Sequence, residues 1–99
     1  TISGALFFQP SDIIRLEGLS NYTQFHLLND KTYLSSKTMK EYEEILVKHH
    51  FLRIHKSHLV NRAFIDSYRK DGSIQLTDKT ILPVSRQRKP KVVEALKNK

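Results

Sequence analysis

Phe51-Leu52-Arg53-Ile54-His55-Lys56-Ser57-His58-Leu59-Val60-Asn61 lies at the middle of the 99-residue chain, and the elements on either side are read outward from it. Phe51 to His55 alternates, with Phe51, Arg53 and His55 opposite Leu52 and Ile54, which is the period of a strand. Ser57 to Arg62 reads as a short connector.

Toward the N-terminus, Thr38-Met39-Lys40-Glu41 has the Thr-x-x-Glu form of a capping box. Met39, Tyr42, Ile45 and Leu46 then recur at helical spacing, and His49-His50 ends the helix. Upstream of it, Tyr22 to Leu28 predicts a strand, with Thr23, Phe25 and Leu27 on one face and Tyr22, Gln24 and His26 on the other. Asn29-Asp30 is a tight turn and Thr32 to Leu34 returns. Asp12 to Glu17 is an earlier strand, joined to Tyr22 through the loop Gly18-Leu19-Ser20-Asn21. The run Ala5 to Gln9, stopped by Pro10, reads as an N-terminal edge strand or a linker remnant.

Toward the C-terminus, Ile65 to Arg69 is a strand, Asp71-Gly72 a hairpin turn, and Ile74 to Thr77 and Thr80 to Val84 continue it. Pro90 falls in the first turn of a last helix, where its missing N–H costs nothing. Val92, Val93 and Leu96 would pack that helix on the body. The sum is one domain over residues 1–99, with many short strands and two short helices. Leu28 to Leu34 resembles Leu76 to Leu82 at an offset of 48, which sets Thr38 opposite Arg86. Each copy reads as a hairpin that runs into a polar loop and a helix.

Charge suggests the partner. The chain carries +7, but residues 1–50 hold five Lys/Arg against six Asp/Glu, and residues 51–99 hold twelve against four. Concentrated basic charge favours a polyanion through phosphate contacts and counterion release. Cysteine is absent, which excludes disulfides and thiolate metal sites and fits a cytoplasmic protein. No apolar run is long enough for a membrane span. A chain beginning at Thr1 reads as a piece of a longer protein.

Catalytic chemistry is hard to find. There are three glycines and no Gly-rich phosphate loop, no Gly-x-Ser-x-Gly elbow and no cysteine nucleophile. His49, His50, His55 and His58 crowd one segment, but residues 47–65 contain no carboxylate and no His-Glu-x-x-His pattern. No enzyme activity, cofactor or metal site is expected. His49 and His50 read as surface residues, His55 and His58 as groups hydrogen-bonded within a turn. Arg86, Arg88, Lys89 and Lys91, after Ser85 and before a helix, form the better of two basic groups for DNA. Arg reads guanine by paired hydrogen bonds while its neighbours hold phosphates. Neither helix is paired with another at short spacing, so this is no helix-turn-helix, and base reading must come from loops or strand ends.

The stretch from Phe51 to Asn61 closely resembles the central signature of LytTR domains, which runs Phe-x-Arg-x-His-basic-Ser-aromatic-aliphatic-Val-Asn. His58 departs from the aromatic usual in that pattern. Asp12 to Glu17 with Asn21-Tyr22, Thr38 to Tyr42, and Leu82-Pro83-Val84-Ser85-Arg86 fall into the family's order, so the resemblance covers roughly residues 10–97. It implies a mainly β fold of small stacked antiparallel sheets of short strands, and sequence-specific binding of double-stranded DNA through loops that enter successive major grooves. The family's base-reading positions map onto Asn21, Thr38 and Arg86. Phosphate contacts would be Tyr22, Ser36, Lys37, Ser85, Gln87, Arg88 and Lys89. A Thr38 that caps its helix has its hydroxyl occupied, and Lys37 would then make the contact. Arg53, His55, Ser57 and Asn61 are expected to be structural, as buried polar groups bracing a sharp turn; Lys56 is a further candidate for DNA. The resemblance also implies an output domain of a two-component response regulator, with an upstream receiver domain activated by phosphorylation, paired repeat sites and a dimer on DNA.

Two other classes compete. A basic protein-interaction module would dock an acidic partner. A single-strand binder would expose aromatics in a groove for base stacking, whereas Phe7, Phe8, Phe25, Phe51 and Phe64 sit in apolar alternation and read as buried.

Overall fold

The computed structural model describes residues 8–97, which form eight strands and two α-helices joined by turns, several of them single 3-10 turns. Strands β1 (Ile13–Leu19), β2 (Tyr22–Leu27), β3 (Thr32–Ser35), β4 (Phe51–His55) and β5 (His58–Asn61) make one antiparallel sheet in the order β3-β2-β1-β5-β4. A smaller antiparallel sheet holds β6 (Ile65–Tyr68), β7 (Ile74–Leu76) and β8 (Ile81–Leu82). Helix α1 (Met39–Leu46) links β3 to β4, and α2 (Lys89–Lys97) ends the described chain. The mainly β reading with stacked antiparallel sheets and two short helices is borne out. The expected strand at Ala5 to Gln9 falls mostly outside the described residues; Phe8 lies in a bend and Gln9 in no regular element.

The five-stranded sheet is packed on one face by α1 and on the other, over β1, β5 and β4, by a second core. Ile13, Leu16, Phe25, Leu27, Phe51 and Leu59 leave one face and pack with Met39, Tyr42 and Leu46 of α1. Ile54 and Val60 leave the other, joining Ile65, Ile74, Leu76, Leu82 and Val84 under Val92 of α2. A register shift between Ile13 and Arg15 lets Ile13 and Leu16, three residues apart, share the α1 face. Each helix thus seals one core, and the sheet separates the two.

Three element readings change. Ser57 to Arg62 is no connector: His58–Asn61 is β5, hydrogen-bonded between β1 and β4. Its consecutive Leu59 and Val60 enter opposite cores, because a strand buried on both faces shows an apolar run where a half-buried one alternates. Gly18 and Leu19 belong to β1, which leaves only Ser20-Asn21 as its turn to β2. The stretch Thr80 to Val84 keeps just Ile81–Leu82 in the sheet. Pro83 has no N–H to extend that pairing.

The offset of 48 has a local counterpart. Lys31 N donates to Leu28 O (3.5 Å) and Lys79 N to Leu76 O (2.9 Å), so both copies close their turns by the same bond. Each hairpin then leads through a loop into a helix. Among the described residues no helix is long and apolar enough to cross a membrane.

Candidate nucleic-acid interface

Leu19 pairs with Tyr22, so Ser20-Asn21 forms a two-residue hairpin turn, and Ser20 supplies the positive φ (57°) that such turns need. Asn21 is exposed at its tip and Tyr22 half-exposed beside it.

The loop before α1 is held from inside. Tyr42 OH and Ser35 Oγ are 2.5 Å apart, Lys37 N donates to Ser35 Oγ (3.1 Å), and Thr23 Oγ1 donates to Lys37 O (2.8 Å). The capping box forms as the spacing predicts. Glu41 N donates to Thr38 Oγ1 (3.4 Å), Thr38 N donates to Glu41 Oε2 (3.0 Å), and Thr38 Oγ1 donates to the same carboxylate (3.2 Å). The Thr38 backbone N–H thereby holds the Glu41 carboxyl below its usual pKa. With the backbone engaged inward, Ser36, Lys37 and Thr38 are exposed.

These two loops meet at one cleft of about 730 Å3, which brings Asn21, Tyr22, Ser36 and Thr38 together with Lys40 and Lys56. Gly18 and Met39 also line it. A Cβ on Gly18 would stand 3.2 Å from Met39 Cγ and 3.6 Å from Ser57 Cα. Absence of that carbon lets β1, α1 and the β4–β5 turn close up, and Gly18 N donates to Ser57 O (2.9 Å). Lys37, with Tyr22 and Ser36, lines an adjoining depression toward Tyr33 and Tyr42.

Of the signature residues Asn61 is buried, while Arg53, His55 and Ser57 are half-buried. Arg53 Nε donates to His55 O (2.9 Å), one terminal nitrogen to Glu43 Oε1 (2.5 Å) and the other to Lys56 O (2.5 Å). Ser57 N donates to His55 Nδ1 (3.0 Å), which fixes that nitrogen as an acceptor. Buried Asn61 donates through Nδ2 to Ile13 O (2.9 Å) and Pro10 O (3.3 Å), and its Oδ1 accepts from Ala63 N (3.0 Å). His58 differs from the expectation: its Nδ1 is buried without a hydrogen-bond partner. Burial first, then repulsion from His55, Arg15 and His26, lowers its pKa to about 4, with Glu17 opposing. It is therefore neutral near pH 7. Glu17 instead engages His26 Nε2 (3.0 Å) and lies 3.7 Å from Arg15. No group of three or more His, Cys, Asp or Glu side chains among the described residues is arranged to hold a metal ion.

The loop before α2 is moored by Ser85 N to Ile54 O (2.9 Å) and Arg88 N to Ser85 O (3.0 Å). Arg86 and Gln87 are exposed on the turn Arg86–Arg88. Gln87 and Arg88, with Lys91, line a second cleft whose other wall includes Glu43, Val47 and Arg53. Arg53 thus stands between the two clefts. Ser85 Oγ is buried and unpaired, directed away from solvent. The Lys89 side chain lies over the β6–β7 turn, where Nζ would be 2.6 Å from a Cβ on Gly72. Arg62, one of the basic residues near the central stretch, donates to Ala95 O of α2 (2.7 Å) and so ties down a helix end.

Lys40 was not singled out from the sequence. Its only signal there is its place two residues after the helix cap, which does not tell which way the first turn faces. Of the acidic residues of α1, Glu41 is engaged by the Thr38 cap and Glu43 by Arg53.

Known proteins are similar to this chain. The family model described as the LytTr DNA-binding domain matches residues 3–97. Two curated relatives from Paraburkholderia xenovorans (strain LB400) are heme-containing CO-sensing transcriptional regulators. RcoM 2 is 30% identical over 95% of this chain and 37% of its own length. RcoM 1 is 32% identical over 86% of this chain and 33% of its own. The chain thus spans about a third of these relatives. A solved LytTr DNA-binding domain, of a putative methyl-accepting/DNA response regulator from Bacillus cereus, superposes with a TM-score of 0.81 at 22% identity, over 90% of this chain and 84% of that one.

Proposed function

We propose, from the premise that this chain belongs to the LytTR family of DNA-binding domains, that it reads specific sequences in double-stranded DNA with loops and regulates transcription. The observation that carries this reading is the division of labour in the loop at residues 35–38. Lys37 O accepts from Thr23, Lys37 N donates to Ser35 and Thr38 N donates to Glu41, while the side chains of Ser36, Lys37 and Thr38 are exposed, Ser36 and Thr38 in one cleft with Asn21. Such a loop presents side chains without first having to order itself.

On this reading Asn21 makes donor and acceptor bonds to an adenine edge, and Arg86 makes paired bonds to guanine. Thr38 has its hydroxyl in the capping box, so its methyl group faces a thymine methyl and Lys37 supplies the polar contact. Tyr22, Ser36, Lys37, Gln87 and Arg88 hold phosphates. Ser85 and Lys89 join them by turning outward on the duplex, Ser85 from its buried rotamer and Lys89 from the Gly72 turn.

We propose further that the domain is the cytoplasmic output half of a longer regulator that binds paired repeat sites as a dimer. A two-component response regulator with an upstream receiver is one form of such a protein. The heme-containing CO sensors that it resembles are another.

The test is selection of binders from a pool of randomised duplexes, repeated at several salt concentrations. The expected result is an enriched repeated motif and affinity that falls steeply with salt. Arg86→Ala should relax preference at one base position and cost roughly 1–3 kcal/mol. Weak binding without an enriched motif would refute this reading in favour of a module that docks acidic proteins.

A further inference from the structure

β4 is an edge strand, and only part of its outer edge is closed. Ile54 O accepts from Ser85 N, but the stretch before it is open. Arg62 N donates to His50 O (3.1 Å), which continues the β4–β5 ladder past the pair Phe51 and Asn61. Hydrogen-bonded positions alternate in an antiparallel pair, so the backbone of Leu52 bonds toward β5 while Phe51 and Arg53 turn their N–H and C=O outward. Among the described residues neither has a hydrogen-bond partner on that side. This edge is the floor of the cleft, of about 360 Å3, that Gln87, Arg88 and Lys91 line from the other side. Val47, 57% exposed at the end of α1, supplies an apolar wall. Glu43 is taken by Arg53, and no carboxylate among the described residues engages Arg88 or Lys91. A strand edge, an apolar wall and two uncompensated cations thus share one cleft.

We infer that this cleft docks an extended acidic segment of a partner protein, which adds to β4 as a further strand and sets carboxylates against Arg88 and Lys91. Strand addition draws affinity from main-chain bonds, and alternate side chains meet the flanking surface. A DNA backbone fits the cations but not the floor, since phosphate oxygens only accept and cannot satisfy outward carbonyls. A second copy fits poorly too. Its other edge strand in the larger sheet, β3, is uncharged and flanked by Lys31 and Lys37, which would be set against Arg88 and Lys91. Docking here goes beyond the reading of DNA and shares one residue with it. Arg88 is also a proposed phosphate contact, so the docked segment and the duplex compete for it, and the partner lowers the affinity for DNA.

The experiment selects binders of the whole chain from a displayed library of random short peptides and maps the winners by amide NMR shifts. The expected winners are acidic and rich in strand-forming residues, and they shift the amides of Phe51 to Arg53 and of Gln87 to Lys89. Arg88→Ala and Lys91→Ala should each weaken them about 3-fold, the size of one exposed ion pair. Methylating the backbone nitrogens of alternate residues in a winner should weaken it about 10-fold in one of the two methylation registers. Val47→Asp, at an exposed position, should abolish docking and leave the enriched DNA motif unchanged. A saturating winner should reduce affinity for the enriched duplex, and Val47→Asp should remove that competition. No enriched peptide, winners that shift other basic surfaces instead, or indifference to methylation in both registers would overturn the proposal. So would a duplex that itself shifts the Phe51 to Arg53 amides and loses affinity in Val47→Asp, which would make the cleft a seat for DNA. Docking without competition would overturn the shared use of Arg88. A chain that docks such peptides in this cleft but enriches no DNA motif would overturn the reading of DNA and leave the docking cleft standing.

Discussion

Removing the Asn61 side chain decides whether the central polar residues brace the fold or touch a ligand. Asn61→Ala deletes the bonds to Ile13 O, Pro10 O and Ala63 N, the first of them fully buried. At about 1 kcal/mol net per bond the loss is about 3 kcal/mol, near 160-fold in the folding equilibrium, and the orphaned Ile13 carbonyl can only add to it. For a domain of this size that lowers Tm by about 12–24 °C. Urea unfolding followed by circular dichroism reads the effect as a shift in midpoint at constant m-value. Asn61→Asp sharpens the test. It keeps the acceptor for Ala63 N but sets a carboxylate against two carbonyls, so it should be worse than alanine at pH 7. As pH falls the carboxyl protonates and can donate to Ile13 O again, so its deficit relative to wild type should shrink. The folded fraction of Asn61→Ala should bind the enriched duplex with an unaltered salt slope. A destabilisation below about 1 kcal/mol, or lost DNA binding at undiminished stability, would refute the bracing role.

Two further outcomes follow from buried or strained positions. His58 is held neutral by burial, with its pKa lowered to about 4 from an ordinary 6.5. Between those values the unfolded chain binds a proton that the folded one refuses, so stability should fall as pH drops from 6.5 toward 4, and level off below. His58→Phe should raise the midpoint and remove that part of the pH slope; an unchanged slope would show that His58 does not set it. Gly72 has φ of 88° and carries the Lys89 side chain where a Cβ would go. Gly72→Ala should cost about 1–2 kcal/mol through the positive φ and displace the Lys89 amine, read by urea unfolding; full stability would contradict it.

The parts of this fold legible in the sequence are those fixed by local chemistry. Thr38 and Glu41 announce a cap because both halves of the box lie within four residues. Thr23, Phe25 and Leu27 announce a half-buried strand because β2 keeps its alternation. β5 escaped because Leu59 and Val60 face different cores, a fact about layers rather than spacing. The loops that carry Asn21, Thr38 and Arg86 were legible through resemblance to a family. Side-chain direction was not: nothing local turns Ser85 Oγ inward or draws Lys89 over Gly72. Those follow from contacts between segments more than fifteen residues apart, such as Ser85 N to Ile54 O.

The five-stranded sheet divides the interior so that the loop with Thr38 is mounted on one core and the loop with Arg86 on the other. Few buried side chains are shared between those mounts, and substitutions without shared partners combine nearly additively. If the proposed contacts of these two loops with DNA hold, recognition can drift in two separate parcels. A lineage can exchange the residues around Arg86 and acquire a new sequence on one side of its target, while the parcel around Thr38 is inherited intact. Regulators descended from one ancestor would then diverge through targets that retain half of the old word.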